Sequence, residues 1–120
     1  MGIKKIIGMV PQDIAVYSHL NALENVKFFA SLYGLRGDKL TRSAKEALDF
    51  VGLSDKLTLK PDKMSGGMKR RLNIACGIAH GPKLIIMDEP TVGVDTQSRE
   101  HILNSIKVLR DRGATVIYTS

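Results

Sequence analysis

Two short stretches hold the residues best placed to do chemistry. In "SGGMKRRL", Ser65 stands directly before Gly66, Gly67 and a run of basic and apolar residues. A serine there is positioned to cap a helix whose first-turn N–H groups have no partner within the helix. The two glycines remove side chains that would hold an anion away, and the helix dipole adds partial positive charge, so the site suits a phosphate oxygen. An ordinary Ser-capped helix after a glycine turn explains the same octapeptide equally well. The second stretch, "LIIMDEP", is a short apolar run that ends in Asp88 and Glu89. Carboxylates at the C-terminal end of a buried parallel strand lie where open α/β sheets take their ligands. Asp88 can hold Mg²⁺, usually through water, and Glu89 can polarise an attacking water. The alternative is that both carboxylates merely cap the next turn.

The elements that must position these residues follow from apolar spacing and punctuation. "KKIIGMV", Lys4 to Val10, reads as a short buried strand stopped by Pro11, and "PQDIAVYSHL" reads as a loop. Asn21, with Glu24 three residues on, opens a helix as a capping box. Its apolar side is Leu20, Leu23, Val26, Phe29, Ala30 and Tyr33, and Gly34 ends it. A second helix is expected from about Thr41 to Val51, with Ala44, Ala47, Leu48 and Val51 on one face and Gly52 as its stop. Residues 53–63 read as a turn of helix and then a loop. A helix follows from Ser65 to near Gly81-Pro82, then the strand "KLIIMDEP", expected to be buried on both faces. "VGVD" leads into a helix from about Thr96 to Arg112 with Ile102, Leu103, Ile106 and Leu109 inward, and "ATVIYTS" is a last strand. Strand, helical block, strand, helix, strand is the order of an α/β parallel sheet interrupted by a helical insertion.

Composition narrows the class. With 120 residues and 43% hydrophobic content, the chain can bury one modest core. The net charge of +6 suits phosphate-bearing partners, although a solvated basic surface is the commoner cause. Residues 1–60 and 61–120 each hold nine basic and six acidic residues, so there is no basic tail. Cys76 is the only cysteine, which rules out an internal disulfide, and its apolar neighbours point to a buried thiol. The three histidines, His19, His80 and His101, lack the spacing of a helical metal site. No apolar run is long enough to cross a bilayer, and no signal-peptide pattern opens the chain, so a soluble intracellular chain is expected.

Taken in order, the motifs resemble the ATPase subunit of ATP-binding cassette (ABC) transporters over nearly the whole chain. "MVPQD" is similar to the glutamine loop, "MSGGM" to the LSGGQ signature, "LIIMDE" to the Walker B strand and "VGVD" to the D-loop. The signature departs from the pattern at Met64 for Leu and Met68 for Gln. The resemblance implies a partial P-loop NTPase (RecA-like) sheet: residues 1–13 as strand and glutamine loop, 14–80 as helical subdomain, and 81–120 as Walker B strand, D-loop, helix and final strand. It implies Glu89 and Gln12 as catalytic residues, and Ser65, Gly66, Gly67 and Asp95 as nucleotide-binding. Asp88 and Gln12 are implied as metal ligands, with ATP and Mg²⁺ as cofactors. Asp95 also reads as the N-cap of the helix that follows, and the two roles are compatible.

The implied partners are a second nucleotide-binding domain, forming a sandwich in which SGG meets the γ-phosphate bound by the opposite subunit, and a transmembrane subunit. Tyr17 and His19 are candidates for the groove that receives that subunit, or for a plain surface loop. "SGGMKRRL" with "DEPTVGVD" most resembles exporter-type cassettes, placing the protein in the cytoplasm on the inner face of the cell membrane. No nucleic acid is expected as a partner. The sequence holds no G-x-x-x-x-G-K-[ST] loop, so the expectation is a truncated domain, inactive alone and prone to self-association. Two alternatives stand beside this: a non-transport ABC-type ATPase acting on nucleic acid or ribosomes, and a non-catalytic interaction module.

Overall fold

The computed structural model describes residues 7–11, 15–88 and 94–119. Three parallel strands, β1 (Ile7–Val10), β2 (Leu84–Asp88) and β3 (Thr115–Thr119), lie side by side in that order. Ile7 pairs with Leu84 and Leu84 with Thr115, so equivalent residues form rows across the sheet. Between β1 and β2 the chain builds a helical block of α1 (Ala22–Ser31), α2 (Gly37–Phe50) and α3 (Gly66–Ile78). A single helix, α4 (Thr96–Asp111), connects β2 to β3.

Local chemistry sets most boundaries. The Asn21 side chain accepts from the Glu24 amide at 2.8 Å, and the Glu24 carboxylate accepts from the Asn21 amide at 2.9 Å, completing the expected capping box. α2 begins at Gly37 rather than near Thr41, and its N-cap, Arg36, makes no side-chain cap bond. Without a capping side chain, the sequence carried no start signal there. Its buried face is Ala44, Ala47 and Leu48, as the spacing predicts. Across residues 53–63 the order is reversed from expectation: turns come first, and a short 3-10 turn at Pro61–Lys63 comes last.

α3 is the centre of the packing. From Leu72 to Ala79 every residue is buried, so this helix is covered all round. It meets β1 through two glycines. A Cβ on Gly8 would strike the Gly77 carbonyl oxygen, and a Cβ on Gly77 would sit 2.8 Å from the Met9 carbonyl oxygen and 2.7 Å from Val10 Cγ2. Helix and strand backbones therefore touch, which fixes α3 against the sheet. His80, just beyond α3, adds a second tie: its Nε2–H donates to the Ile7 carbonyl at 3.1 Å, and its ring stacks on Tyr33 with centroids 3.7 Å apart.

The helices cover one face of the sheet. Val10, Ile85, Met87 and Val116 are buried on that side. The expectation that β2 is buried on both faces does not hold: Leu84 and Ile86 are only half-buried. They share the opposite face with Met9 and Ile117, which are 55% and 51% exposed. On α4, Ile102 and Ile106 point inward, whereas Leu103 is exposed.

Candidate functional site

The N-terminus of α3 brings together four of the residues singled out by sequence. Ser65 is the N-cap, and its hydroxyl oxygen accepts from the Met68 amide at 3.2 Å. The Lys69 amide bonds to the Ser65 carbonyl at 3.0 Å. Two first-turn amides, those of Gly66 and Gly67, keep no acceptor among the described residues. Ser65 and Gly66 are exposed, while Gly67 is buried.

The two glycines have different reasons to be glycine. A Cβ on Gly66 would meet nothing within 4 Å, so the described residues place no steric demand for glycine there. A Cβ on Gly67 would collide with the Ser98 hydroxyl and lie 2.8 Å from Asp95 Oδ1. Gly67 is thus a packing glycine that lets α3 and α4 meet N-terminus to N-terminus. Anion approach is the reason the sequence offers for both; the packing of Gly67 against its own chain adds a second cause that sequence could not show.

Asp95 and Ser98 form the other half of this contact. Asp95 caps α4 by accepting from the Ser98 amide at 3.3 Å. That backbone bond is the largest of the effects that hold the Asp95 carboxyl below the usual aspartate range. Ser98 is 5% exposed, clamped between its cap and Gly67.

Asp88 is positioned by the sheet. It is the last residue of the central strand, in register with Thr119, and its exposed carboxylate stands at the C-terminal edge. Gln12 and Glu89 lie outside the described residues. The flanks of Gln12 are described, however, and they reveal a residue that sequence reasoning missed. Asn73, 4% exposed on α3, accepts from the Ala15 amide at 3.2 Å and donates to the Pro11 carbonyl at 3.0 Å. One buried amide therefore holds both ends of the Gln12 segment against α3. The available signal was an asparagine inside the apolar run "LNIAC". Asn25 does similar work one segment later: fully buried, it accepts from the Tyr17 amide at 2.7 Å and donates to carbonyls of Tyr17, Leu20 and Asn21.

Tyr17 sits in an aromatic cluster, 5.2 Å from Phe28 edge-on and 5.9 Å from Phe29 stacked, with His19 at 5.8 Å. Tyr17, Phe28 and Leu32 remain 42%, 40% and 62% exposed. Met64 and Met68, the two departures from the signature pattern, both face inward: Met64 is in the core and Met68 packs on its edge.

This arrangement has close counterparts. The family model described as ABC transporter matches residues 2–92. The linearmycin resistance ATP-binding protein LnrL of Bacillus subtilis is 51% identical over 98% of this chain, which spans 38% of that protein. The Nod factor export ATP-binding protein I of Sinorhizobium fredii is 36% identical over 95% of the chain, which spans 33% of it. Among solved structures, the dimeric bacterial ABC transporter cassette MJ0796 superposes with a TM-score of 0.84 at 30% identity, over 96% of this chain and 52% of that one. The same cassette is also known as a dimer bound to ADP and Pi after hydrolysis. The chain thus spans about half or less of each of these proteins. By the family match over most of its length, and by a fold that superposes on a solved cassette over 96% of the chain, this chain belongs to the ABC transporter family.

Proposed function

We propose that this chain is the signature-bearing portion of an ATP-hydrolysing cassette that powers an exporter, and that it acts by completing an ATP site held by a second cassette. The observation that carries this reading is Gly66: an exposed glycine at a capped helix N-terminus, with free amides and open space where a side chain would be. Nothing among the described residues requires glycine there, which supports a ligand as the reason for it. A phosphate oxygen fits the two amides and the helix dipole. The likeness to an ATP-binding protein of Nod factor export, together with the ABC transporter family match, supports export as the setting.

In this reading Ser65 Oγ and the Gly66 and Gly67 amides receive the γ-phosphate of ATP carried by the partner cassette. Asp95, braced by Ser98, holds the N-terminus of α4 against that same turn, so phosphate contact and the α4 start move as one piece. Bound Mg²⁺ would supply charge neutralisation for the phosphates; the Asp88 carboxylate is a hard oxygen donor of the kind it takes, alongside water. Glu89 would accept a proton from the attacking water, and Gln12, on a segment anchored by Asn73, would complete the metal and phosphate surroundings. The exposed Tyr17, Phe28 and Leu32 form the surface on which a transmembrane subunit docks, which places the cassette on the inner face of the membrane.

The test uses the longer cassette that contains this chain. Gly66→Ala introduces a methyl group into open space, so folding stability should stay level or rise by up to about 1 kcal/mol from helix propensity. Hydrolysis should nevertheless fall, and Gly66→Asp should abolish it through repulsion of the γ-phosphate, with ATP binding to the same subunit retained. Gly67→Ala should instead lower the melting temperature, because its methyl group must displace Ser98. Wild-type hydrolysis by Gly66→Asp would overturn the phosphate role, and loss of ATP binding in the same subunit would overturn the sandwich.

A further inference from the structure

At the end of α3 remote from Ser65 the structure holds a cavity of about 1020 Å³. Its walls come from the α1–α2 connection, one face of α2, the α3–β2 corner and the end of α4. Ala79 and Leu109 make part of an apolar floor, and the stacked Tyr33–His80 pair and Phe50 add flat aromatic surface. Around this floor stand Arg36, Lys39, Lys83 and Arg112, all exposed, against a single lining carboxylate, Glu46. None of the four makes a salt bridge among the described residues. Arg112 lies over the Phe50 ring, 5.2 Å from its centroid, which leaves its charge available.

One isolated surface lysine means little, but four like charges around a concave apolar floor focus positive potential into the hollow. The floor suits a flat ring, and the rim suits two or more negative groups on that ring's edge. The volume is at the upper end of small-molecule sites, which run to about 1,000 Å³. We propose that this cavity is a binding site for an organic polyanion with a flat aromatic body, separate from the phosphate site at the α3 N-terminus. Such a ligand bridges the helical block and the end of α4, and so ties the block to the sheet layer.

Pyranine, a pyrene trisulfonate, is a suitable probe. The longer cassette containing this chain is saturated with Mg-ADP to occupy its nucleotide sites, and pyranine binding is followed by fluorescence anisotropy. The expected result is one saturable site per chain that weakens as salt rises. Lys39→Glu and Arg112→Glu should each weaken it about tenfold by charge reversal at the rim. Lys39→Gln and Arg112→Gln should show the same order with smaller losses, and thermal melts check that all four variants stay folded. Binding that ignores every one of these substitutions, or that never saturates, overturns the site. Inorganic pyrophosphate competing as well as pyranine overturns the aromatic part of the assignment. Displacement by an oligoglutamate peptide at lower concentration than by unlabelled pyrene sulfonate would make the cavity a peptide groove, and the small-ligand proposal would fall.

Discussion

At the scale of single residues, the site divides into groups that sequence places directly and groups that only packing reveals. Ser65 and Asp95 were legible because a cap acts over three residues, Ser65 to Met68 and Asp95 to Ser98, within reach of local pattern. Gly67 against Ser98 and Asn73 against Ala15 and Pro11 were not, because their partners are 31, 58 and 62 residues away. The Asn73 bonds give a sharp expectation. Asn73→Leu fills similar volume but leaves the Ala15 amide and Pro11 carbonyl without partners. Pro11 and Ala15 are exposed and the two bonds are part-buried, so water takes up part of the loss, and each bond is worth about 0.5–1.5 kcal/mol. Denaturant unfolding of the longer cassette should show that loss, and hydrolysis should drop further than stability alone explains if the Gln12 segment is catalytic. A variant with full stability would mean that water or another side chain takes over both bonds. Cys76 offers no comparable handle: burial pushes its thiol well above the ordinary range, so it is inert in the folded chain.

At the scale of elements, helix and strand identities followed from periodicity, while exposure did not. α1, α3, α4, β2 and the described parts of β1 and β3 appear where apolar spacing and caps place them, residues 4–6 and Ser120 of the expected outer strands lying outside the described residues, and α2 starts early because an uncapped start at Gly37 leaves no mark in sequence. Buried polar side chains are the second blind spot: Asn25, Asn73, Ser98 and Ser105 all lie inside faces that a hydrophobic pattern skips over. His80 is the element-scale residue with a testable titration. It joins the α1–α2 connection to β1 through Tyr33 and the Ile7 carbonyl, and burial lowers its pKa, an effect only partly offset by that hydrogen bond. The unfolded chain therefore binds a proton at a higher pH than the folded chain does. Its contribution to stability is full above the ordinary histidine range and is lost as pH falls through that range towards the folded-state value. Melting temperatures of the wild type should fall on acidification through this window, and His80→Gln should flatten that part of the profile. Parallel profiles for the two proteins would remove His80 as the cause.

At the scale of the whole molecule, the sheet has one dressed face and one bare face. The bare face is set by register: Met9, Ile86 and Ile117 are aligned across β1, β2 and β3, and the outer two are more than half exposed. β1 and β3 are also the sheet's outer strands, so their outward backbone groups have no neighbouring strand among the described residues. Apolar rows and open edges of this kind favour pairing with another copy. The chain of 120 residues, expressed by itself, is therefore expected to self-associate. Light scattering coupled to size exclusion should show the mean mass rising from low to high micromolar concentration. Ile117→Lys places a charge at the β3 end of the bare row without touching the helix-covered core, so it should shift the distribution towards monomer. Covering the same face with the rest of a cassette should have the equivalent effect, and hydrogen exchange at β1 and β3 would slow in the longer protein. A wild-type chain that stays monomeric at every concentration would show that the bare face is soluble as it stands. An Ile117→Lys protein that associates as strongly as wild type would instead place the contact at the strand edges, where backbone pairing is indifferent to that side chain.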